Sequence, residues 1–118
     1  MKNYLAVFIG TDAARKASGC ATLSEAERRA REQQGIAAWG AWVETHMPQI
    51  VDVGTPLGKT LRASKSGIDG IKNQLTAYTV VKAQSHEAAA RMFEAHPHFT
   101  IFPGDSVEIM ECLPIPGR

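Results

Sequence analysis

Two histidines separated by a single proline are the side chains in this chain best suited to chemistry. In an extended segment, the side chains of His96 and His98 point to the same side of the backbone. Near neutral pH, two such imidazoles could exchange a proton with a substrate or share a metal ion. The alternative is that His96 ends a helix, where an imidazolium complements the negative end of the helix dipole. No cysteine or carboxylate stands at a metal-ligand spacing, so the sequence predicts neither a metal site nor a cofactor.

Asp52 and the turn that follows it form a second candidate region. Asp52 stands between two valines, so it lies either on the solvent face of a strand or in a polar pocket that raises its pKa. Residues 54–58 lack the glycine spacing and the Lys-Ser/Thr pair of a phosphate loop. We interpret them as a tight turn that lets a ligand or another chain approach.

The candidate catalytic residues are therefore His96, His98 and Asp52. The candidate ligand-binding residues lie in the turn and on a later strand, and are Gly54, Pro56, Leu57, Gly58 and Tyr78. If a reaction occurs, proton transfer with His96 or His98 as acid or base is the type that these residues favour.

Composition limits the class of protein. The 118 residues predict one domain, 1–118, and the 44% apolar and 21% charged residues are typical of a globular protein. Thirteen basic residues against twelve acidic ones leave a net charge of +1, which disfavours a nucleic-acid binder. No apolar run approaches the roughly 20 residues that span a bilayer. With no secretory signal and only two cysteines, we expect a cytoplasmic protein.

The elements that must position these residues begin with a strand over residues 4–9 that is apolar at every position. Such a strand is covered on both faces. Residues 10–23 are predicted to form a long, mobile connection that could cover a site. Ser24 and Glu27 fit a capping box, which predicts a helix from there to about Thr45.

The second half of the chain alternates strands with one helix. Strands are predicted at 50–53, 59–63, 76–82 and 106–112, the second of them at a sheet edge, with residues 64–70 as a hairpin loop. Ser85 caps a helix predicted to run to about Ala95, before Pro97.

This order predicts an α+β fold, the ferredoxin-like βαββ(β)αβ sandwich, with two helices on one face of an antiparallel sheet. The other sheet face would be bare in a monomer although its residues are apolar. We therefore expect a homodimer that buries the helix-free sheet face.

Five segments of the chain together resemble the YCII-related (DGPF-containing) domain family, and the resemblance covers nearly the whole chain. They are residues 39–42 (WGAW), 50–58 (IVDVGTPLG), 77–83 (AYTVVKA), 96–98 (HPH) and 108–117 (EIMECLPIPG). The resemblance implies a ferredoxin-like subunit that dimerises as an α/β barrel. It also implies an enzymatic role suspected from a recurring His and Asp, and for some relatives an association with sigma factors of the extracytoplasmic type.

The family's catalytic motif does not carry over to this chain. The family places a His in the first helix, where residues 37–39 have none, and an Asp-Pro-Tyr segment where residues 96–98 stand. The Asp-Gly-Pro-Phe motif is replaced by residues 73–78.

Two functions from different classes follow. The leading hypothesis is a small homodimeric domain with a small-molecule pocket and acid–base activity. The alternative is a non-catalytic module that binds a protein partner as an accessory to sigma-factor-type regulation. A concave, partly apolar cavity with convergent polar groups would favour the first. The sequence leaves open whether the protein is an enzyme.

Overall fold

The computed structural model describes residues 1–117, without the side chain of Cys20. The strands are β1 (Lys2–Ile9), β2 (Ile50–Asp52), β3 (Thr60–Ser64), β4 (Gly67–Ile71), β5 (Leu75–Ala83) and β6 (Ser106–Glu111). The α-helices are α1 (Asp12–Ala17), α2 (Glu25–His46), α3 (His86–Arg91) and α4 (Pro97–Thr100). None of the helices in this part of the chain has the length and apolar character needed to cross a membrane.

Four of the strands form one sheet in the order β2-β5-β1-β6, and all of its pairings are antiparallel. With the β3–β4 hairpin set aside, the chain runs strand, helix, strand, strand, helix, strand. This order and pairing are those of a split βαβ arrangement, so the predicted α+β, ferredoxin-like class agrees with the structure. The described residues form an open sheet without closing into a barrel.

Strand β1 lies in the middle of this sheet, and its two faces differ. Tyr4, Ala6 and Phe8 point to one face and are buried against the helices. Leu5 and Val7 point to the opposite, helix-free face and are half-buried. The core therefore lies on one side of the sheet only.

Helix α2 contributes Trp42 to that core, and Trp39 and Val43 of the same helix pack against it. The predicted capping box is confirmed, because Ser24 Oγ accepts from the Glu27 backbone N–H while the Glu27 carboxylate accepts from the Ser24 N–H. Near the other end, Trp42 is buried and its Nε1 donates to the Met92 carbonyl over 2.8 Å. This bond ties α2 to the segment after α3.

The connection predicted over residues 10–23 is not irregular. It contains α1, which Thr11 caps by accepting from the Ala14 N–H, and a short 3-10 helix at Cys20–Thr22. Alanine and lysine favour helix, and the Thr11 cap begins one. Within the described part of this segment, no residue lines the cavity described below.

The strand predicted at 59–63 is present as β3, but its predicted place at an edge of the sheet and the hairpin loop predicted at 64–70 are wrong. β3 pairs only with β4 in a separate two-stranded sheet, and residues 67–71 form a strand within the segment predicted as a loop. Two glycines and an aspartate give this segment low strand propensity, and pairing with β3 overrides it.

The second predicted helix ends earlier than expected. Ser85 caps α3 as predicted, but α3 ends at Arg91 and a turn follows. Ala95 has φ 56°, a left-handed conformation that stops helical continuation. His96 is therefore the N-cap of α4 and does not stand at a helix C-terminus, so the dipole interpretation of this residue is wrong.

Candidate functional site

A cavity of about 450 Å³ lies between α2, the loop after β2, and strand β5. Ile36, Trp39 and Gly40 of α2 form one wall. Residues 53–56 and 76–79 form the opposite wall, and His98 and Phe102 complete the lining. The lining is mainly apolar, and the volume is in the range that holds a small organic molecule.

His98 is the titratable imidazole of this lining, and its orientation is set by the backbone. Its Nε2 lies 2.8 Å from the Ile9 carbonyl, which can only accept, so Nε2 carries a hydrogen. In the neutral ring the lone pair is then on Nδ1. A Cβ at Gly104 would collide with the His98 ring, so glycine there permits the close packing that holds the ring. Burial lowers the pKa of His98, and the backbone of Ile9, the backbone of Ser106 and the negative charge of Asp105 oppose that shift.

His96 supports His98 from the interior of the protein. It is fully buried, and its Nδ1 accepts the His98 backbone N–H over 3.0 Å. The hydrogen of the neutral ring is then on Nε2, which has no hydrogen-bond partner among the described residues. The ring is nearly perpendicular to Trp39, with centroids 4.5 Å apart, and 4.8 Å from Trp42. Burial lowers the pKa of His96 to about 3, with the nearby His98 as a smaller cause.

Asp52 lies beside the cavity rather than within its lining. The carboxylate is exposed, accepts from the Gly54 backbone N–H at 2.9 Å, and accepts from the Tyr78 hydroxyl at 3.3 Å. Both of those partners line the cavity. Of the two alternatives for Asp52, the structure shows the solvent-exposed one.

The five predicted ligand-binding residues divide between the cavity and its surroundings. Gly54, Pro56 and Tyr78 line it, whereas Leu57 and Gly58 are exposed outside the described lining. Leu57 is instead tied to β5, because its backbone N–H donates to the Thr76 carbonyl.

Sequence reasoning missed the α2 wall and Phe102. Ile36, Trp39 and Gly40 have the i, i+3, i+4 spacing of one helix face, a pattern that is more typical of core residues than of a ligand site. That spacing could have identified the wall only if the strand facing it had been known.

The described residues contain no group of three or more His, Cys, Asp or Glu side chains that could hold a metal ion. The pair of histidines is also unsuited to joint ligation, because Nδ1 of His96 accepts a backbone hydrogen bond and Nε2 of His98 donates one.

Comparison with known proteins gives a likeness in fold. No protein-family model and no curated protein matches the chain. Among solved structures, it is similar to 5-chloro-2-hydroxyhydroquinone dehydrochlorinase (TftG) from Burkholderia phenoliruptrix AC1100, in complex with 2,5-dihydroxybenzoquinone. The match has a TM-score of 0.53 at 15% identity, and covers 94% of this chain and 93% of that one. At this identity the likeness shows the fold alone.

Proposed function

We propose that this protein binds a small, planar, hydroxylated organic molecule in the cavity and transfers a proton between that ligand and His98. The observation that carries the proposal is the 450 Å³ apolar cavity with the imidazole of His98, oriented by the Ile9 carbonyl, in its wall. Such a cavity with one convergent basic group is the common form of a small-molecule site.

The shape preference rests on the aromatic lining. Trp39, Phe102 and Tyr78 belong to the cavity lining, and flat aromatic ligands pack well against aromatic side chains. The hydroxyls of Thr76 and Thr79 already donate to backbone carbonyls, at 2.9 and 2.8 Å. The remaining polar side chains of the lining are Thr55, Tyr78 and His98, and we propose that these three supply the polar selectivity.

The proposed chemistry is general base catalysis. A hydroxyl or activated C–H proton of the ligand passes to the lone pair on Nδ1 of His98. The Nε2–H of His98 remains hydrogen-bonded to the Ile9 carbonyl throughout. Because burial lowers the pKa of His98, the ring is neutral and ready to accept a proton near pH 7. His96 is a positioning residue that holds the His98 backbone, and Asp52 orients the Tyr78 hydroxyl.

The structural neighbour supports the substrate class, since its name and its bound quinone describe a small hydroxylated ring compound. The sequence resemblance and the fold together support membership of the YCII-related family and a homodimer through the helix-free sheet face, whereas a cytoplasmic location stays a prediction from the sequence. The alternative, an interaction module accessory to sigma-factor-type regulation, gains no support from the cavity.

Calorimetric titration with 2,5-dihydroxybenzoquinone and with hydroquinone tests the binding. Gly40 lines the cavity and has open space where a Cβ would be, so Gly40→Leu should fill the site without a backbone clash. The matched control is Ala41→Leu, on the exposed surface of the same helix. We expect the parent and the control to bind one of these probes and Gly40→Leu to lose binding at least about 10-fold. Absence of binding by the parent, or equal binding by all three proteins, contradicts the proposal.

A further inference from the structure

The β3–β4 hairpin has two chemically different faces. Leu61 stands opposite Gly70, and Ala63 stands opposite Ile68, so these four non-polar residues share one face. The other face carries Arg62 and Asp69, whose side chains form an ion pair at 2.7 Å, together with Thr60, Ser64, Gly67 and Ile71. We refer to the face formed by Leu61, Ala63, Ile68 and Gly70 as the apolar arm face.

The apolar arm face is uncovered in the single chain. Leu61 is 75% exposed and Ile68 is 74% exposed, and the small residues between them are exposed as well. The hairpin pairs with neither edge of the four-stranded sheet. An isolated two-stranded hairpin is marginally stable at best, and an antiparallel sheet with one apolar face normally packs that face against other structure.

The accessible area and the radius of gyration of the single chain favour a second copy of the chain as the structure that covers this face. The accessible area is 8235 Å², whereas a compact monomer of 12.8 kDa has about 6,300 Å². The radius of gyration is 16.3 Å, against about 13.5 Å for a compact domain of this length. The excess of about 1,900 Å² counts the whole surface, including the helix-free sheet face, and is what one protomer of an extensive homodimer buries.

We propose that the apolar arm face packs against a second copy of this chain. A net charge of +1 on each copy opposes association only weakly. Gly70 and Ala63 leave room between the two large side chains for close contact, while the Arg62–Asp69 pair stays in water on the other side. This proposal does not depend on whether the cavity binds a ligand.

The β3–β4 hairpin, called the arm from here on, is also attached to the walls of the cavity. Thr55 and Pro56 precede β3, Thr76 and Ala77 belong to β5 just after β4, and all four line the cavity. Pro56 and Ala77 form a β-bridge at the base of the arm. Docking of the arm on a second copy therefore restrains two cavity-lining segments.

Sedimentation velocity over a range of protein concentrations tests the arm. The test variant is Leu61→Asp with Ile68→Asp, and the matched control is Thr60→Asp with Ser64→Asp, which adds the same charge to the other face. We expect the parent and the control to dimerise, and the dissociation constant of the test variant to rise more than about 100-fold. A monomeric parent, or equal dissociation constants for the two variants, overturns the proposal.

Hydrogen exchange on the unmodified protein keeps the test independent of how the variants fold. We expect the amides of β3 and β4 to exchange more slowly at concentrations where the dimer forms than under strong dilution. Exchange in these strands that does not change with concentration would show that the arm stays free, and would likewise overturn the proposal.

Discussion

The backbone N–H of His98 donates to Nδ1 of His96 over 3.0 Å, so the two histidines of one short motif have separate roles. This bond makes His96 the N-cap of α4 and keeps its ring in the interior. At the same time it places His98 in the cavity wall. One imidazole is structural, and the other faces the proposed site.

The first prediction concerns stability against pH. His96 has a pKa of about 3 in the folded protein and about 6.5 when unfolded, so the unfolded chain binds more protons between these values. The free energy of unfolding should therefore be highest above pH 6.5 and fall as the pH is lowered from 6.5 towards 3. The slope from this residue is at most about 1.4 kcal/mol per pH unit. His98, whose pKa is also lowered, acts in the same direction.

Urea unfolding at a series of pH values between 7.5 and 4.5 measures this slope. The comparison variant is His96→Asn, because asparagine can still accept the N-cap hydrogen bond but does not titrate. We expect the variant to be less stable at pH 7 and to have a shallower pH dependence than the parent. Equal slopes in the two proteins would contradict the assignment of the pH dependence to His96.

The second prediction compares His98 with His86, whose Nε2 is also hydrogen-bonded to a backbone carbonyl. His98→Gln should abolish the proposed proton transfer and weaken binding of the probe that the parent prefers. The control is His86→Gln, because His86 Nε2 lies 2.7 Å from the Ile109 carbonyl but the residue is exposed and outside the cavity. Calorimetry at pH 6 and pH 8 gives the readout. Indistinguishable binding by the two variants would assign His98 a structural role only.

The third prediction compares the two glycines of one turn. Gly54 has φ 75°, and a Cβ there would collide with the Tyr78 backbone carbonyl. Gly58 has open space at the same position and no positive φ. Gly54→Ala should therefore lower the free energy of unfolding by more than about 2 kcal/mol, and Gly58→Ala should change it by less than about 0.5 kcal/mol. Chemical denaturation of the parent and the two variants measures these changes. Similar decreases in the free energy of unfolding for the two variants would contradict this account of the turn.

The fourth prediction concerns the helix-free sheet face. Leu5 and Val7 are half-buried there, on the side of β1 away from the helices. Light scattering should give a mass of about twice 12.8 kDa, and Val7→Lys should reduce the dimer. Ala41→Lys, on the exposed surface of α2, is the control and should leave the mass unchanged. A parent of single-chain mass, or a Val7→Lys protein that remains fully dimeric, would argue against a sheet-to-sheet dimer.

The sequence by itself determined the features that depend on neighbours along the chain. The capping box of Ser24 and Glu27 and the cap at Ser85 each need only a side chain and a backbone N–H three residues away. The alternation in β1 follows from the two-residue period of any strand. These signals also yield the order of the main elements, and hence the α+β class.

Tertiary structure decided the roles of the two histidines and the composition of the cavity. His96 caps α4 because Ala95 turns left-handed and because its ring packs among Trp39, Trp42 and Phe8, contacts that join distant parts of the chain. The orientation of His98 depends on the Ile9 carbonyl, 89 positions away. Likewise, β4 forms because β3 supplies its hydrogen bonds. Burial and long-range hydrogen bonds set these outcomes, and no local pattern encodes which distant residue will supply them.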